Sequence, residues 1–312
     1  MTRTLIEFVI RAGVVLSGTA LATFTLLWSA PGDPATAIAM ARFDSIVSDD
    51  VIAQVRAEVG LAAGFWPAFW GWLGPLLQGD FGYSSVSGNS VASELWPSLG
   101  YTLPLAFAGL VIGVAISVPL AILATRKPGG WLDRFAIALA SLGAAIPVYW
   151  LGLLLVLLFA VQLNWLPAMG ARTPAHLVLP ALTLGFGVAA SLTRILRSGI
   201  LEARGKPFLP AFRRRGVDEA ASGRDHVARH AASPVVTVLG LELAFLLEGA
   251  VVVEVIFARP GLGTFLVTAI EARDFPKVQA VVILTALFFV ITYLVIDLIY
   301  RLIDPRIGTR DA

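Results

Sequence analysis

"YTLPLAFAGLVIGVAISVPLAILAT", residues 101–125, is a stretch without a single charged side chain. An α-helix needs about 20 apolar residues to cross the hydrocarbon core of a bilayer, and this stretch has that length. Gly109 and Gly113 are four residues apart, which favours close packing against another helix. The stretch therefore predicts a transmembrane helix.

Five further apolar runs have a comparable length. They cover residues 9–30, 134–162, 177–200, 234–257 and 280–303. The whole chain of 312 residues is 57% hydrophobic and only 14% charged, with a mean hydropathy of +0.82, which excludes an ordinary soluble domain. The sequence therefore predicts an all-α integral membrane protein with six transmembrane helices.

The distribution of lysine and arginine predicts the orientation of these helices. The connection at 125–134 and the block at 194–233 are rich in basic residues, whereas the region 31–100 has seven acidic residues and only two arginines. Basic loops stay on the cytoplasmic side of a membrane. We therefore expect a large extracytoplasmic loop after the first helix and both termini in the cytoplasm.

Two segments of the region 31–100 predict local structure. "SDDVIAQVRAEVG", residues 48–60, begins with serine and aspartate and closes on glycine, as a short helix does. "GFWPAFWGWLGPLLQGDFGYS", residues 64–84, is rich in tryptophan, which favours the membrane–water interface. We expect this aromatic segment to lie along the outer interface, where its rings either pack the loop down or contact the substrate.

Several kinds of chemistry have no sequence support. The chain has no cysteine, which excludes disulfides, thiolate metal sites and a cysteine nucleophile. It contains no GxxxxGK[ST] phosphate loop, no HExxH and no GxSxG, so we expect no catalytic residues and no cofactor bound by this chain. A net charge of +2 without a massed basic face argues against nucleic acid as a partner.

One polar block interrupts the apolar second half of the chain: "FLPAFRRRGVDEAASGRDHVARHAASPVV", residues 208–236. His226 and His230 are four residues apart and are compatible with a metal pair on one helical face. No third ligand lies nearby in the sequence, so we expect an ordinary polar helix and no metal site. The function of this block is indicated by the segments on either side of it.

Those flanking segments resemble a known family. "VVVEVIFARPGLG" at 251–263 and "DLIYRLIDPRI" at 297–307, together with "APGDP", "LLQGDFGYS" and "NWLPAMG" in the first half, are similar to the membrane permease subunit of peptide-type ABC importers. This branch includes dipeptide, oligopeptide and nickel permeases, and the resemblance covers nearly the whole chain. It implies a type I ABC importer permease fold with a cytoplasmic coupling loop between helices 4 and 5.

The resemblance also assigns a role to the polar block. In this family a helix, a turn glycine and a second helix dock into a groove on a separate ATPase subunit, and Gly216 and Pro234 match the family spacing. Pro210 stands where the family usually has a polar residue, so we expect a short docking helix, the alternative being a solvated basic linker. The implied coupling residues are Ala211, Phe212, Arg213, Arg214, Arg215, Gly216 and Val217.

Three glutamates occupy the fifth predicted span: Glu242, Glu248 and Glu254. Ionisable groups at membrane depth are costly and usually functional. A spacing of six residues turns successive side chains by roughly 240°, so the three cannot form one metal cage. We place Glu248 and Glu242 on the translocation path as a hypothesis, with Glu248 favouring a cationic group; the alternative is that Glu248 is protonated or hydrogen-bonds a neighbouring helix.

These expectations combine into one organisation. We expect a first transmembrane helix at 1–30, an extracytoplasmic region at 31–100, a permease domain at 101–303 with its coupling loop at about 201–233, and a cytoplasmic tail at 304–312. The resemblance implies a multi-pass inner-membrane subunit, not an enzyme. Its implied partners are a second homologous permease, two ATPase subunits or domains that bind ATP, an extracytoplasmic substrate-binding protein and the lipid bilayer.

The substrate remains open between two classes at this stage. The resemblance favours di- and oligopeptides, with nickel or a metal chelate as the alternative, because permeases for both share the same pattern. A rival of another class is an ion-coupled secondary transporter that uses the buried glutamates as proton or cation sites. That rival would need no ATPase.

Overall fold

The computed structural model describes residues 2–29, 33–43, 47–58, 60, 63–206 and 228–303. These ranges are almost entirely helical, with one isolated antiparallel bridge between Tyr83 and Ser90. The helices, in chain order, are α1 (Thr2–Trp28), α2 (Pro34–Phe43), α3 (Asp49–Glu58), α4 (Phe65–Leu77), α5 (Val91–Arg126), α6 (Trp131–Ala145), α7 (Val148–Leu155), a π-helical segment (Val156–Gln162), α8 (Ala175–Arg204), α9 (Ala228–Ile256), α10 (Leu262–Glu271) and α11 (Phe275–Ile303).

Within the described residues, four helical segments are long and apolar enough to cross a membrane. These are Phe8–Trp28, Val91–Arg126, Ala175–Arg204 and Phe275–Ile299, and each covers a span that the sequence predicts. The pair formed by α6 and α7 with its π-helical extension raises the number to five if it counts as one span. Helix α9 covers the predicted span 234–257, and the total of six remains a prediction.

The predicted span 134–162 is wrong as a single helix. The chain bends by 104° between α6 and the helix that starts at Val148. Pro147 follows Ile146, whose backbone is extended at φ −79° and ψ 123°. A proline disfavours the helical conformation of the residue before it, so the apolar run is divided into two helices at this point.

The chain divides into two compact units. Unit 1 comprises residues 1–102 and 260–291, and unit 2 comprises residues 103–259 and 292–312. Two of the three boundaries fall inside α5 and α11, and the third falls between α9 and α10. The predicted helix at 48–60 is confirmed as α3.

Unit 1 begins its polar region with a capped helix. The Asp33 carboxylate accepts hydrogen bonds from the backbone N–H of Thr36 (3.0 Å) and from its hydroxyl (2.6 Å), and Pro34 occupies the first helical position of α2. Arg56 lies 2.8 Å from the same carboxylate. Partial burial acts to raise the pKa of Asp33, but the Thr36 hydrogen bonds and the Arg56 charge outweigh burial and lower it.

Three apolar clusters stabilise unit 1. Ile38 of α2 packs with Val55 of α3, and Leu95 of α5 packs with Leu262 and Leu284. The third cluster is aromatic and joins the end of α1 to α4. Its members are Phe24, Trp28, Phe65, Phe69 and Trp72, with ring centroids between 5.3 and 6.4 Å apart.

Helix α8 forms the centre of unit 2 and packs against α6, α7 and α9. The predicted close contact of Gly109 and Gly113 is confirmed, because both lie against α8. A methyl group on Gly113 would lie 2.5 Å from Cγ1 of Val188, so only glycine permits this approach. A methyl group on Gly185 would in turn lie 2.8 Å from the carbonyl oxygen of Gly109.

Candidate functional site

The three glutamates of α9 lie in three different environments. Glu254 is fully buried, Glu242 is half-buried and Glu248 is exposed. The structure therefore separates them, as their spacing predicts. Among the residues it describes, no group of three histidine, aspartate or glutamate side chains is arranged to hold a metal ion. The side chains of His226 and His230 lie outside that set.

Glu248 stands at the centre of an exposed stripe on α9. The other members are Leu241, Phe245, Val252 and Val255, which are 53%, 61%, 40% and 48% exposed. Successive members are separated by four, three, four and three residues, which places them on one helical face. We call this set the α9 stripe, and Glu248 is its only charged member.

A lipid-facing position is energetically poor for Glu248. An ionised side chain at the centre of a membrane helix costs about 2.5–3.5 kcal/mol relative to an apolar one. The four apolar neighbours on the same stripe provide no hydrogen-bond donor that would offset this cost. A protein surface or a water-filled path is therefore the environment that suits the α9 stripe.

Glu242 is held within its own subunit. Its carboxylate accepts a hydrogen bond from the Ser191 hydroxyl on α8. A hydrogen bond of this kind satisfies a half-buried carboxylate and connects α9 to the central helix of unit 2. The two glutamates that the sequence groups together thus differ, because Glu242 contacts α8 whereas Glu248 faces outward.

The chain that follows α9 is held at several points inside unit 2. The Phe257 ring is 1% exposed, and its carbonyl accepts the backbone N–H of Gly170 at 2.8 Å. The Arg259 N–H donates to the carbonyl of Glu254 at 2.8 Å, and the Arg259 guanidinium donates to the carbonyl of His176. Glu254 therefore lies in the last turn of α9, just before the "ARPGLG" segment at 258–263.

A buried ion pair connects α6 to α8. The Asp133 carboxylate is 2% exposed and receives Nε and Nη2 of Arg197 at 2.5 and 2.8 Å. The backbone N–H of Gly129 also donates to this carboxylate, at 2.8 Å. Nearby, the Arg204 guanidinium donates to the carbonyl of Thr125 at the end of α5. We call these two contacts the arginine clamp.

The arginine clamp lies next to the predicted coupling loop. Helix α8 carries both arginines and ends at Arg204, and the described chain stops two residues later at 206. The predicted coupling residues Ala211–Val217 lie outside the described residues. The clamp thus joins the helix that leads into the loop to the connection between α5 and α6.

A second polar network lies in unit 1. Asp274 is 1% exposed and accepts hydrogen bonds from the Ser84 hydroxyl (2.5 Å) and the Ser85 N–H (3.1 Å). Lys277 lies 2.6 Å from the Glu94 carboxylate and 3.5 Å from that of Asp274. This network fixes the 81–90 loop to the start of α11.

Sequence reasoning missed both polar networks. Asp133 and Arg197 are 64 residues apart, and Ser84 and Asp274 are 190 residues apart. The available signal was the presence of Asp133 and Arg197 at the ends of apolar runs on the side that the basic loops predict to be cytoplasmic. Nothing in the spacing indicates which arginine would reach which carboxylate.

Comparisons with known proteins show which protein family this chain matches. Residues 117–309 match the family described as "Binding-protein-dependent transport system inner membrane component". The glutathione transport system permease protein GsiC of Escherichia coli K12 is 38% identical over 284 residues, which are 91% of this chain and 92% of that protein. GsiC of Salmonella typhimurium LT2 is also 38% identical, over 292 residues that make up 92% and 93% of the two chains.

Solved structures show the same fold. A chain of the MetNI methionine ABC transporter in an inward-facing conformation matches with a TM-score of 0.56 and 20% identity, covering 67% of this chain and 96% of that one. A chain from an amino acid ABC transporter crystallised with histidines matches with a TM-score of 0.54 and 19% identity, covering 67% and 94%. At this level of identity the likeness concerns the fold alone.

Proposed function

We propose, because the chain belongs to the binding-protein-dependent transport system inner membrane component family, that this ABC importer permease subunit forms half of a translocation pathway for short peptides. Members of the family are transport components and not enzymes. The observation that carries the substrate class is the identity of 38% to a glutathione permease over nearly the full length of both chains. Glutathione is itself a tripeptide, so the proposal covers small peptides with a free ammonium group.

Glu248 is the residue that we assign to the substrate on this pathway. It is exposed at the centre of the α9 stripe, whose apolar members favour contact with a second permease subunit over contact with water. A carboxylate at that position attracts the ammonium group of a peptide and disfavours a passing anion. Glu242 stays on the wall of the pathway, since Ser191 holds it against α8.

ATP is hydrolysed on partner subunits and not on this chain. The assembly contains two ATPase subunits or domains, and one of them docks on the loop at about 201–233 of this chain, where Ala211–Val217 form the contact. The arginine clamp then transmits loop movement, because α8 leads directly into this segment and is joined to the α5–α6 connection. Both termini lie in the cytoplasm, and an extracytoplasmic binding protein delivers the substrate.

The test starts from the tagged chain in its native membranes. Affinity purification followed by protein identification is expected to recover an ATPase, a second permease and a binding protein. Gly216→Pro, or replacement of Arg213, Arg214 and Arg215 by alanine, is expected to remove the ATPase and leave the second permease bound. Recovery of an intact assembly from both loop variants would overturn the assignment of the coupling loop.

The substrate is tested on the purified assembly in proteoliposomes. ATP-dependent uptake of a labelled dipeptide and of glutathione is expected, with the binding protein present on the substrate side. Uptake of Ni²⁺ without uptake of peptides would show that the substrate is nickel and would overturn the peptide proposal. Uptake by the chain alone, driven by an ion gradient, would instead support an ion-coupled carrier.

A further inference from the structure

Unit 1 contains a cavity of about 410 Å³ that the transport proposal does not use. It is bounded by the end of α1, by α2 and α4, by the 81–90 loop and by the start of α11. This volume falls within the range of roughly 300–1,000 Å³ that is typical of small-molecule sites. The residues that matter for its chemistry are Phe24, Trp28, Trp72, Glu58, Ser85 and Gln279.

The walls of the cavity are mainly aromatic. Phe24 is 7% exposed and stacks on Trp28 and Trp72, with ring centroids 5.9 and 5.7 Å apart. On the facing part of α4, Ala68 and Gly71 leave room, and no atom lies within 4 Å of the position that a Gly71 side chain would take. These surfaces favour an extended apolar group.

One polar side chain in the wall is largely buried as a residue and makes no hydrogen bond within the part of the chain that the structure describes. Gln279 is only 5% exposed, lines the cavity, and has no hydrogen-bond partner among the residues that the structure describes. An amide that reaches a cavity without a partner in the protein is available to water or to a polar group of an occupant. Gln279 offers two N–H donors and one carbonyl acceptor, which suits an ester or amide group.

The charges of the lining residues distinguish between two kinds of occupant, a neutral ester and a zwitterionic peptide. Glu58 is the only ionisable residue among the described lining residues, and its carboxylate lies 2.9 Å from Nη1 of Arg42. No described lining residue thus supplies a free cation for the carboxyl terminus of a peptide. A neutral ester beside an apolar chain matches the lining better than a zwitterionic peptide does.

The elements that form the cavity have the composition that is typical of a membrane boundary. Helix α4 has no charged residue, and Trp66 and Trp70 on it are 57% and 60% exposed. Tryptophan side chains accumulate at the interface between hydrocarbon and water. The candidate span in α1 ends at Trp28, which is itself part of the cavity wall. These tryptophans and the end of the α1 span favour a place for the cavity at the level of the lipid glycerol groups.

We propose that this cavity binds a glycerophospholipid, with one acyl chain against Phe24, Trp28 and Trp72. The Gln279 amide donates a hydrogen bond to an ester carbonyl of the lipid, while the Arg42–Glu58 pair lies near the headgroup. The bound lipid connects α1 to α4 and fixes the position of the outer segment on the membrane. This assignment is independent of the identity of the transported substrate.

The test uses the full importer assembly in nanodiscs that contain a phospholipid with a diazirine on one acyl chain. After illumination, mass spectrometry is expected to locate crosslinks at the end of α1 and on the cavity face of α4. Gly71→Trp fills the open space and is expected to remove these crosslinks. Gly74→Trp is the matched control, because Gly74 is on the same helix with nothing within 4 Å but does not line the cavity.

A second variant tests the polar contact without filling the cavity. Gln279→Leu keeps the side-chain volume nearly constant and is expected to reduce the crosslinking yield, while ATP-driven uptake shows that the assembly is intact. Equal crosslinking in the Gly71 and Gly74 variants would overturn the proposal. Crosslinking of a photoreactive peptide at the same residues, with displacement of the lipid, would overturn it as well.

Discussion

Arg197→Met is expected to destabilise the protein strongly, because it removes one side of the buried ion pair with Asp133. The Asp133 side chain is 3% exposed, and without Arg197 it keeps only the Gly129 N–H as a donor. Removing one partner of a buried pair costs about 3–5 kcal/mol, since the remaining charge is left uncompensated. Asp133→Leu is expected to cost less, because the Arg197 side chain is 23% exposed and can reach water.

The double variant Asp133→Leu/Arg197→Met distinguishes this reasoning from a simple loss of contacts. Replacement of a whole buried pair by apolar side chains of similar volume is often close to neutral. The double variant is therefore expected to be more stable than Arg197→Met alone. The two single changes are then strongly non-additive, as expected for residues in direct contact.

The assay is thermal unfolding of the purified importer assembly in one detergent, with the four proteins of the cycle measured side by side. At roughly 2–4 °C per kcal/mol, Arg197→Met is expected to lower the midpoint by roughly 6–20 °C. A double variant as unstable as the sum of both single variants would refute the uncompensated charge as the cause. The ratio of transport to ATP hydrolysis, measured on the same samples, is expected to fall if the arginine clamp transmits loop movement.

Three further predictions follow from other contacts. Glu248→Gln is expected to reduce uptake of peptides with a free ammonium group by about tenfold, because a hydrogen bond to a charged group contributes ~1.5–3 kcal/mol, and to leave N-acetylated peptides unaffected. Gly113→Ala is expected to cost about 1–3 kcal/mol of stability through its contact with Val188. Gly187→Ala, which meets open space, is the control, and an equal loss in both would contradict the packing argument. The lowered pKa of Asp33 means that its contribution is present above its unfolded pKa and is lost as the pH falls through the folded value. Melting curves between pH 6 and pH 3 are therefore expected to converge for wild type and Asp33→Asn at the acidic end, and parallel curves would disprove this.

The sequence predicted an all-α membrane fold because the length of each apolar run can be read from one continuous segment of the chain. Each long apolar run lies in a helix or, for 134–162, in a bent pair of helices. The signal for the bend is Pro147, which disfavours the helical conformation of Ile146, and the prediction from the length of the apolar run did not use it. Close packing at Gly113 was predicted correctly from the glycine spacing, but the opposing residue, Val188, was not, because such a pair does not identify the helix that packs against it.

The candidate site was predictable only in part. The helical repeat places Glu242, Glu248 and Glu254 at different angles around the helix. It does not say which of these angles faces outward. The structure shows which one does, because Ser191 contacts Glu242 whereas Glu248 lies in the exposed α9 stripe. Sequence reasoning assigned both residues to the pathway, and that assignment stays a prediction.

The sequence by itself determined that the chain spans a membrane as helices, because peptide groups in hydrocarbon must be satisfied within their own segment. It also carried the family motifs, which are continuous in the chain. Tertiary structure alone decided the pairing of Asp133 with Arg197, the pairing of Ser84 with Asp274, and the cavity beside Gln279. These features join residues that are distant in the chain, so they follow from helix packing and from no local pattern.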